Sequence, residues 1–218
     1  MKTTAVDKAY SWVRRAIIDG TLPGGTFIDE SLVCEATGVS RTPAREAFHR
    51  LEGERFITLV PRRGAQVREV NAGDLRDAYG ARFMIESHAA TEFCALDTAV
   101  LPPGAMLENL TIMRNLTDFD DVDAFYAYQA ADQAFHGALV QTLNNQAVSN
   151  FFASLWQVNQ LVMFKRVKPT TLWNNPAYAL FTQQHIDIYD ALVRHDREAV
   201  ITLLRSHLSY NIRDWSFS

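Results

Sequence analysis

The chain has 218 residues, of which 48% are hydrophobic and 21% charged, enough apolar material to bury the core of one large domain or two small ones. The first 20 residues are polar and amphipathic, unlike a secretory signal, and no apolar run reaches the ~18 residues that a membrane span needs. The net charge of −4 argues at first against a nucleic-acid partner.

Its distribution argues otherwise. Residues 1–70 carry 11 Lys and Arg against 9 Asp and Glu, a balance of +2; residues 71–218 carry 10 against 16, a balance of −6. The N-terminal part is mildly basic and the rest is acidic, so contact with phosphate is expected of the first part only. Cys34 and Cys94 are far apart and fall inside expected helices. They read as reduced and buried, as in a cytoplasmic protein.

In chain order, Tyr10, Val13, Ile17 and Ile18 recur at helical spacing and predict a first helix over 4–19. Gly20 ends it, and Leu22-Pro23-Gly24-Gly25 is a turn. Asp29 caps a short second helix over 30–37, which Gly38 closes. A third helix is expected over 41–54. Ser40 stands where a hydroxyl can cap it, Pro43 lies in its first turn, and Ala47, Phe48 and Leu51 form its inner face. Residues 56–60 and 65–70 read as two short strands around Pro61-Arg62-Arg63-Gly64, with Gly64 permitting the tight turn. Helix, helix, helix, hairpin is a winged helix-turn-helix, and Arg41, Thr42 and Arg45 sit where a recognition helix meets base edges.

The run "VSRTPAREAF", with "IIDGTLPGG" before it and "VPRRGAQV" after it, resembles the GntR family of bacterial transcription regulators. The resemblance implies that Arg41 and Arg45 contact bases, with Thr42 on the DNA backbone and Ser40 beside them at the helix start. An arginine fork suits guanine O6 and N7 or two phosphate oxygens. Arg62, Arg63 and Gly64 form the wing tip, where the arginines meet phosphates or a narrow minor groove; plain solvation is the alternative. One departure stands out. Gly53 precedes Glu54, and Arg55 follows it, where the family usually has a glycine after the acidic residue that ends the recognition helix. A left-handed Arg55 would cost about 1 kcal/mol or more, so a shifted helix end is expected.

Asn71-Ala72-Gly73-Asp74 marks a join. Beyond it no strand pattern recurs. Helical stripes predict six helices over 74–97, 104–116, 121–143, 146–166, 177–194 and 197–215, broken at 102–104, 117–120, 144–145 and 168–176. The fold class expected is mainly α, a winged helix-turn-helix domain over 1–70 followed by an all-α antiparallel bundle over 74–215.

Polar residues interrupt the apolar stripes of that bundle. Asp132 and His136 share a face with Phe125, Tyr128, Phe135, Leu139 and Leu143. His185 lies on the stripe of Tyr178, Phe181, Ile188 and Leu192, and His207 on that of Val200, Leu203, Leu204 and Asn211. Buried polar groups need partners. Ordinary core hydrogen bonds are one answer; a divalent metal that satisfies all four residues is the other. Arg82 also faces inward, on the stripe of Leu75, Tyr79, Ile85 and Ala89. It suits an anion, unless it pairs with Asp132 or Glu86. The order Asp132, His136, His185, His207 is similar to the metal site of the FCD domain, the ligand-binding domain of one GntR subgroup. That resemblance runs from about 75 to 207. It implies Zn2+, with Ni2+ or Mn2+ as alternatives, and Arg82 holding the carboxylate of a small organic acid effector.

The function expected is that of a homodimeric regulator reading an inverted repeat in double-stranded DNA, under control of that effector and with no membrane partner. Two alternatives remain at this point: a metalloenzyme using the three histidines and the aspartate, and a ligand-independent DNA binder with a structural metal.

Overall fold

The computed structural model describes residues 4–69, 71–116, 122–166 and 177–213. The chain divides into two compact units, one of Met1–Asn71 with Gln157–Arg166 and the other of Ala72–Trp156 and Val167–Ser218.

The first unit contains α1 (Ala5–Ile18), β1 (Phe27–Ile28), α2 (Glu30–Thr37), α3 (Arg41–Gly53), β2 (Ile57–Val60) and β3 (Gly64–Val67). A capping box starts α1: the Asp7 amide donates to Thr4 Oγ1 and the Thr4 amide to Asp7 Oδ2. Asp29 caps α2 through the Leu32 amide, and Gly38 ends it in the left-handed region at φ 71°. Val13, Val33, Ala44, Ala47, Phe48 and Leu51 are fully buried where the three helices meet. Each larger side chain among them contributes about 1.5–3 kcal/mol by leaving water. Tyr10 of α1 donates to Glu54 Oε2 at 2.5 Å, and the Arg50 guanidinium stacks 3.7 Å from the Tyr10 ring centroid. This clamp fixes the end of α3 against α1.

The small sheet has the order β1-β3-β2, antiparallel throughout. Ile28 pairs with Ala65, and Val60 with Gly64. Strand β1 has no counterpart among the expected elements, because two residues are too few for an alternation to register.

Two local expectations are corrected and a third is extended. Ser40 is the N-cap of α3 by backbone conformation, but its side chain makes no capping hydrogen bond. The cause lies in the sequence. Pro43 occupies the third helical position, one of the two whose N–H a capping hydroxyl accepts from, and proline has none. Second, α3 does not shift its end. Arg55 itself adopts φ 59°. The Phe56 amide donates to Leu51 O at 2.9 Å and the Arg55 amide to Glu52 O at 2.9 Å, the two bonds of a Schellman closure, with Phe56 and Leu51 both buried. These bonds offset the strain that a glycine would have avoided. Third, the wing turn holds two left-handed residues: Gly64, at φ 85°, as expected, and Arg62, at φ 64°, behind Pro61; the Arg63 amide closes the turn on Val60 O. Gly64 serves a second need as well: a Cβ there would collide with the Ile28 carbonyl oxygen. Its missing side chain lets β1 pair with β3.

The second unit is all helical among the described residues: α4 (Ala72–Cys94), α5 (Gly104–Asn115), α6 (Val122–Gln141), α7 (Gln146–Arg166) as far as Trp156, α8 (Ala177–Val193) and α9 (Arg197–Arg213). Helix α5 packs on α6 and α8, α9 packs on α4 and α8, and α4 crosses α6 and α8. The inner faces of α4, α6, α8 and α9 therefore converge on one interior, where Leu75, Phe135, Leu139, Ile188, Leu192 and Leu204 are buried. Val70 at the expected strand end, the expected breaks at 117–120 and 168–176, the expected helix start at 121, the last two residues of the expected final helix, and the side chains of Phe125 and Asn211 lie outside the described residues. No helix among the described residues is long and apolar enough to cross a membrane.

Candidate metal centre and nucleic-acid interface

In the first unit, α3 and the wing line one open cleft of about 580 Å³. Arg41, Arg45, Arg62, Arg63 and Gly64 face it, with Glu30 from the start of α2. Arg45 Nε donates to Glu30 Oε1 at 3.1 Å while its side chain stays 66% exposed. Arg41 Nη2 reaches Ser31 Oγ only at 3.5 Å. Arg63 lies over the Phe27 ring, 4.3 Å from its centroid, so β1 steadies the wing arginine from below. Ser40 and Thr42 are exposed at the start of α3 but do not line the cleft. The arginines of helix and wing are thus gathered, solvated and weakly held, a state from which they can move onto phosphates and base edges.

In the second unit, one ligand atom from each of Asp132, His136, His185 and His207 lies within 4.8 Å of the others. The three imidazoles are 0–2% exposed. His136 and His207 stack with centroids 5.2 Å apart, and His185 meets His207 edge-on at 4.5 Å. The helical spacing explains how they arrive. Asp132 and His136 are one turn apart on α6, while His185 and His207 occupy the inner stripes of α8 and α9.

Each ring is held by its outer nitrogen. His136 Nδ1 lies 2.6 Å from Glu86 Oε2, His185 Nδ1 lies 2.7 Å from the Phe181 carbonyl oxygen, and His207 Nδ1 lies 2.9 Å from Gln184 Oε1. All three partners are acceptors, so each Nδ1 carries the proton and each Nε2 turns its lone pair away from them. Yet His136 Nε2 and His185 Nε2 are 3.1 Å apart, and Asp132 Oδ1 is 2.8 Å from His185 Nε2. Acceptors so close repel unless a cation lies between them. The residues present therefore fit a metal, and the donor set of three nitrogens and one carboxylate suits zinc.

The electrostatics agree. Burial pushes the Asp132 carboxyl up, but hydrogen bonds and charge from His136 and His185 outweigh it and hold it well below the usual range. Burial pushes His136 down, but the Glu86 charge and the hydrogen bonds that both carboxylates accept from the ring outweigh it, so His136 holds a second proton above its ordinary pKa. That proton supplies the positive charge that the cluster lacks. Burial, followed by repulsion from the other two imidazoles, pushes His207 well below its ordinary value.

Glu86 was not expected in this role. It is fully buried and bridges the two halves of the site, accepting from Arg82 Nε at 2.9 Å through Oε1 and from His136 through Oε2. Arg82 therefore does have an acidic neighbour, Glu86 rather than Asp132. Its Nη2 is still buried with no hydrogen-bond partner among the described residues. The position of Glu86, one turn after Arg82 on the same stripe, was a usable signal. Gln184 gave none, since its partner is on another helix. His195, just past the end of α8 and outside the cluster, is half-buried; its Nε2 donates to Val100 O and its ring stacks on Phe93.

Residues 77–210 match the FCD domain, and residues 5–67 match the bacterial regulatory proteins of the gntR family. The chain belongs to the GntR family, in its FCD-domain branch. It is 28% identical over 203 residues to the HTH-type transcriptional repressor RspR of Escherichia coli K12, covering 91% of this chain and 83% of that one. It is 23% identical to the gluconate operon transcriptional repressor of Bacillus subtilis, covering 94% and 82%. A GntR transcriptional regulator from Rhodococcus sp. RHA1 shares the fold with a TM-score of 0.72 at 26% identity, covering 95% of both chains. This GntR protein is accordingly a DNA-binding transcriptional regulator, which removes the metalloenzyme alternative.

Proposed function

We propose that this GntR regulator binds an inverted repeat as a homodimer in the cytoplasm, and that a small organic acid tunes its operator affinity at a metal centre in the FCD domain. Residues 1–70 read DNA: Arg41 and Arg45 contact bases, Ser40 and Thr42 the adjoining backbone, and Arg62, Arg63 and Gly64 of the wing contact phosphates or the minor groove. Residues 74–215 bind metal and effector. Asp132, His136, His185 and His207 are the ligands, for Zn2+ in preference to Ni2+ or Mn2+. Arg82 takes the effector's carboxylate.

The observation that carries this reading is the set of three imidazoles whose Nδ1 atoms are all committed to acceptors, leaving Nε2 atoms to share a cation with Asp132. The unpartnered Nη2 of buried Arg82 supports an anionic ligand beside it. That one relative represses a gluconate operon supports the same class, since gluconate is a hydroxy acid. A ligand that acts on DNA affinity must bind two dimer arrangements unequally; a coupling of about 1–3 kcal/mol is typical.

The test combines elemental analysis of the purified chain with DNA-binding titrations, on an operator found by in vitro selection, with and without chelator and small acids. One transition-metal equivalent and an acid-dependent shift of operator affinity are expected. Metal without any acid effect would instead favour a structural metal in a ligand-independent DNA binder.

A further inference from the structure

Among the buried polar atoms of the FCD domain that have no partner among the described residues, two are N–H donors on neighbouring side chains. One is Arg82 Nη2; the other is Trp156 Nε1, on α7. Arg82 and Trp156 are each 1% exposed. The Arg82 guanidinium carbon lies 4.1 Å from the Trp156 ring centroid, and the Trp156 ring lies 6.1 Å, centroid to centroid, from His136. The indole thus adjoins both the arginine and a ligand of the candidate metal centre.

A buried N–H without a partner is costly, and the cost falls twice here within one small volume. The nearest acid cannot meet it, since both Glu86 oxygens are engaged by Arg82 Nε and His136 Nδ1. The guanidinium lies against the indole ring, so one carboxylate at their shared edge has an oxygen for each donor, at the ~2.9 Å usual for such bonds. A metal ion cannot answer two donors; an anion can.

Resting on the effector reading above, we propose that Trp156 is an effector-contacting residue, its indole N–H sharing the ligand's carboxylate with Arg82 Nη2. The ring then has two duties. Its face holds the guanidinium in place, and its edge binds. The arrangement selects planar carboxylates over ligands that offer one acceptor.

The test is a titration of the 15N-labelled, metal-loaded full chain with acetate and then gluconate, following indole and arginine N–H resonances. The chain has four tryptophans, so four indole signals are to be assigned. The Trp156 indole proton should move downfield and saturate in parallel with the Arg82 guanidinium signal. Trp156→Phe, which keeps an aromatic face, should weaken binding of the same acid about ten- to a hundredfold with metal content unchanged. An Arg82 signal that responds while Trp156 stays still, or undiminished affinity in Trp156→Phe, overturns the proposal and leaves the effector reading standing. If neither signal moves, the carboxylate site fails, and Trp156 with it.

Discussion

Arg45 and Arg82 each pair with one glutamate at hydrogen-bonding distance, Glu30 at 3.1 Å and Glu86 at 2.9 Å. Arg45 keeps 66% of its side chain in water, whereas Arg82 keeps 1%. The first pair contributes at most about 1 kcal/mol and exchanges freely. Breaking the second leaves a buried charge unanswered, which costs about 3–5 kcal/mol. The DNA-reading unit thus presents arginines ready to leave their partners. The FCD unit presents polar groups that cannot leave theirs, and the one donor left over on Arg82 becomes meaningful only because everything around it is committed.

The largest effect expected from breaking this contrast lies at the buried end. His185→Ala removes a nitrogen that sits 3.1 Å from His136 Nε2 and 2.8 Å from Asp132 Oδ1. Stoichiometric metal should be lost, while the N-terminal unit keeps its fold and some DNA affinity. Elemental analysis and circular dichroism measure both; full metal occupancy in the variant would reject the ligand set.

A second effect is on the pH dependence of metal affinity. Glu86 and Asp132 raise His136, so below that raised pKa it holds a proton that a metal must displace. Affinity should therefore rise about tenfold per pH unit up to that raised pKa and flatten above it. Binding should release a proton, visible by calorimetry in buffers of different ionisation enthalpy. Glu86→Gln removes the principal charge that raises His136 and should move the flattening to lower pH. A pH-independent affinity between 6 and 8 would contradict the role given to Glu86.

These two cases show what the sequence could and could not disclose. The four candidate ligands were legible because each stands on an apolar helical stripe, and a period of 3.6 is a local property. What orients them was less so. Glu86 meets His136 and Gln184 meets His207 across helices, contacts that no local period reports. In the first unit, helix α2 was legible from Asp29 and Gly38, while β1 was not, having only two residues. Ser40 is a different kind of miss: the missing donor at Pro43 was present in the sequence.

At the exposed end the effects are smaller and fall on binding rather than on folding. Arg45→Ala should cost about 1–3 kcal/mol of operator affinity and relax specificity at one base position. Chain stability should barely change, because the pair it loses is solvated. Fluorescence anisotropy on the selected operator and its single-base variants checks this. Unchanged affinity would remove Arg45 from the readout and make its pairing with Glu30 its resting purpose.

The smallest effect sharpens the comparison from inside the first unit. Arg55 is exposed and holds φ 59°, a conformation in which a side chain costs about 1 kcal/mol. The Schellman bonds to Glu52 O and Leu51 O involve only backbone, so they survive any substitution that tolerates this φ. Arg55→Gly removes the strain, but it also frees the unfolded chain, which takes back part of the gain. A net stabilisation of about 0.5–1 kcal/mol is expected, read as a higher urea midpoint at unchanged slope. If the midpoint falls instead, the Arg55 side chain makes a contribution that outweighs its backbone strain. If it rises and operator affinity rises with it, the angle at which α3 enters the wing was limiting the docking of Arg62 and Arg63.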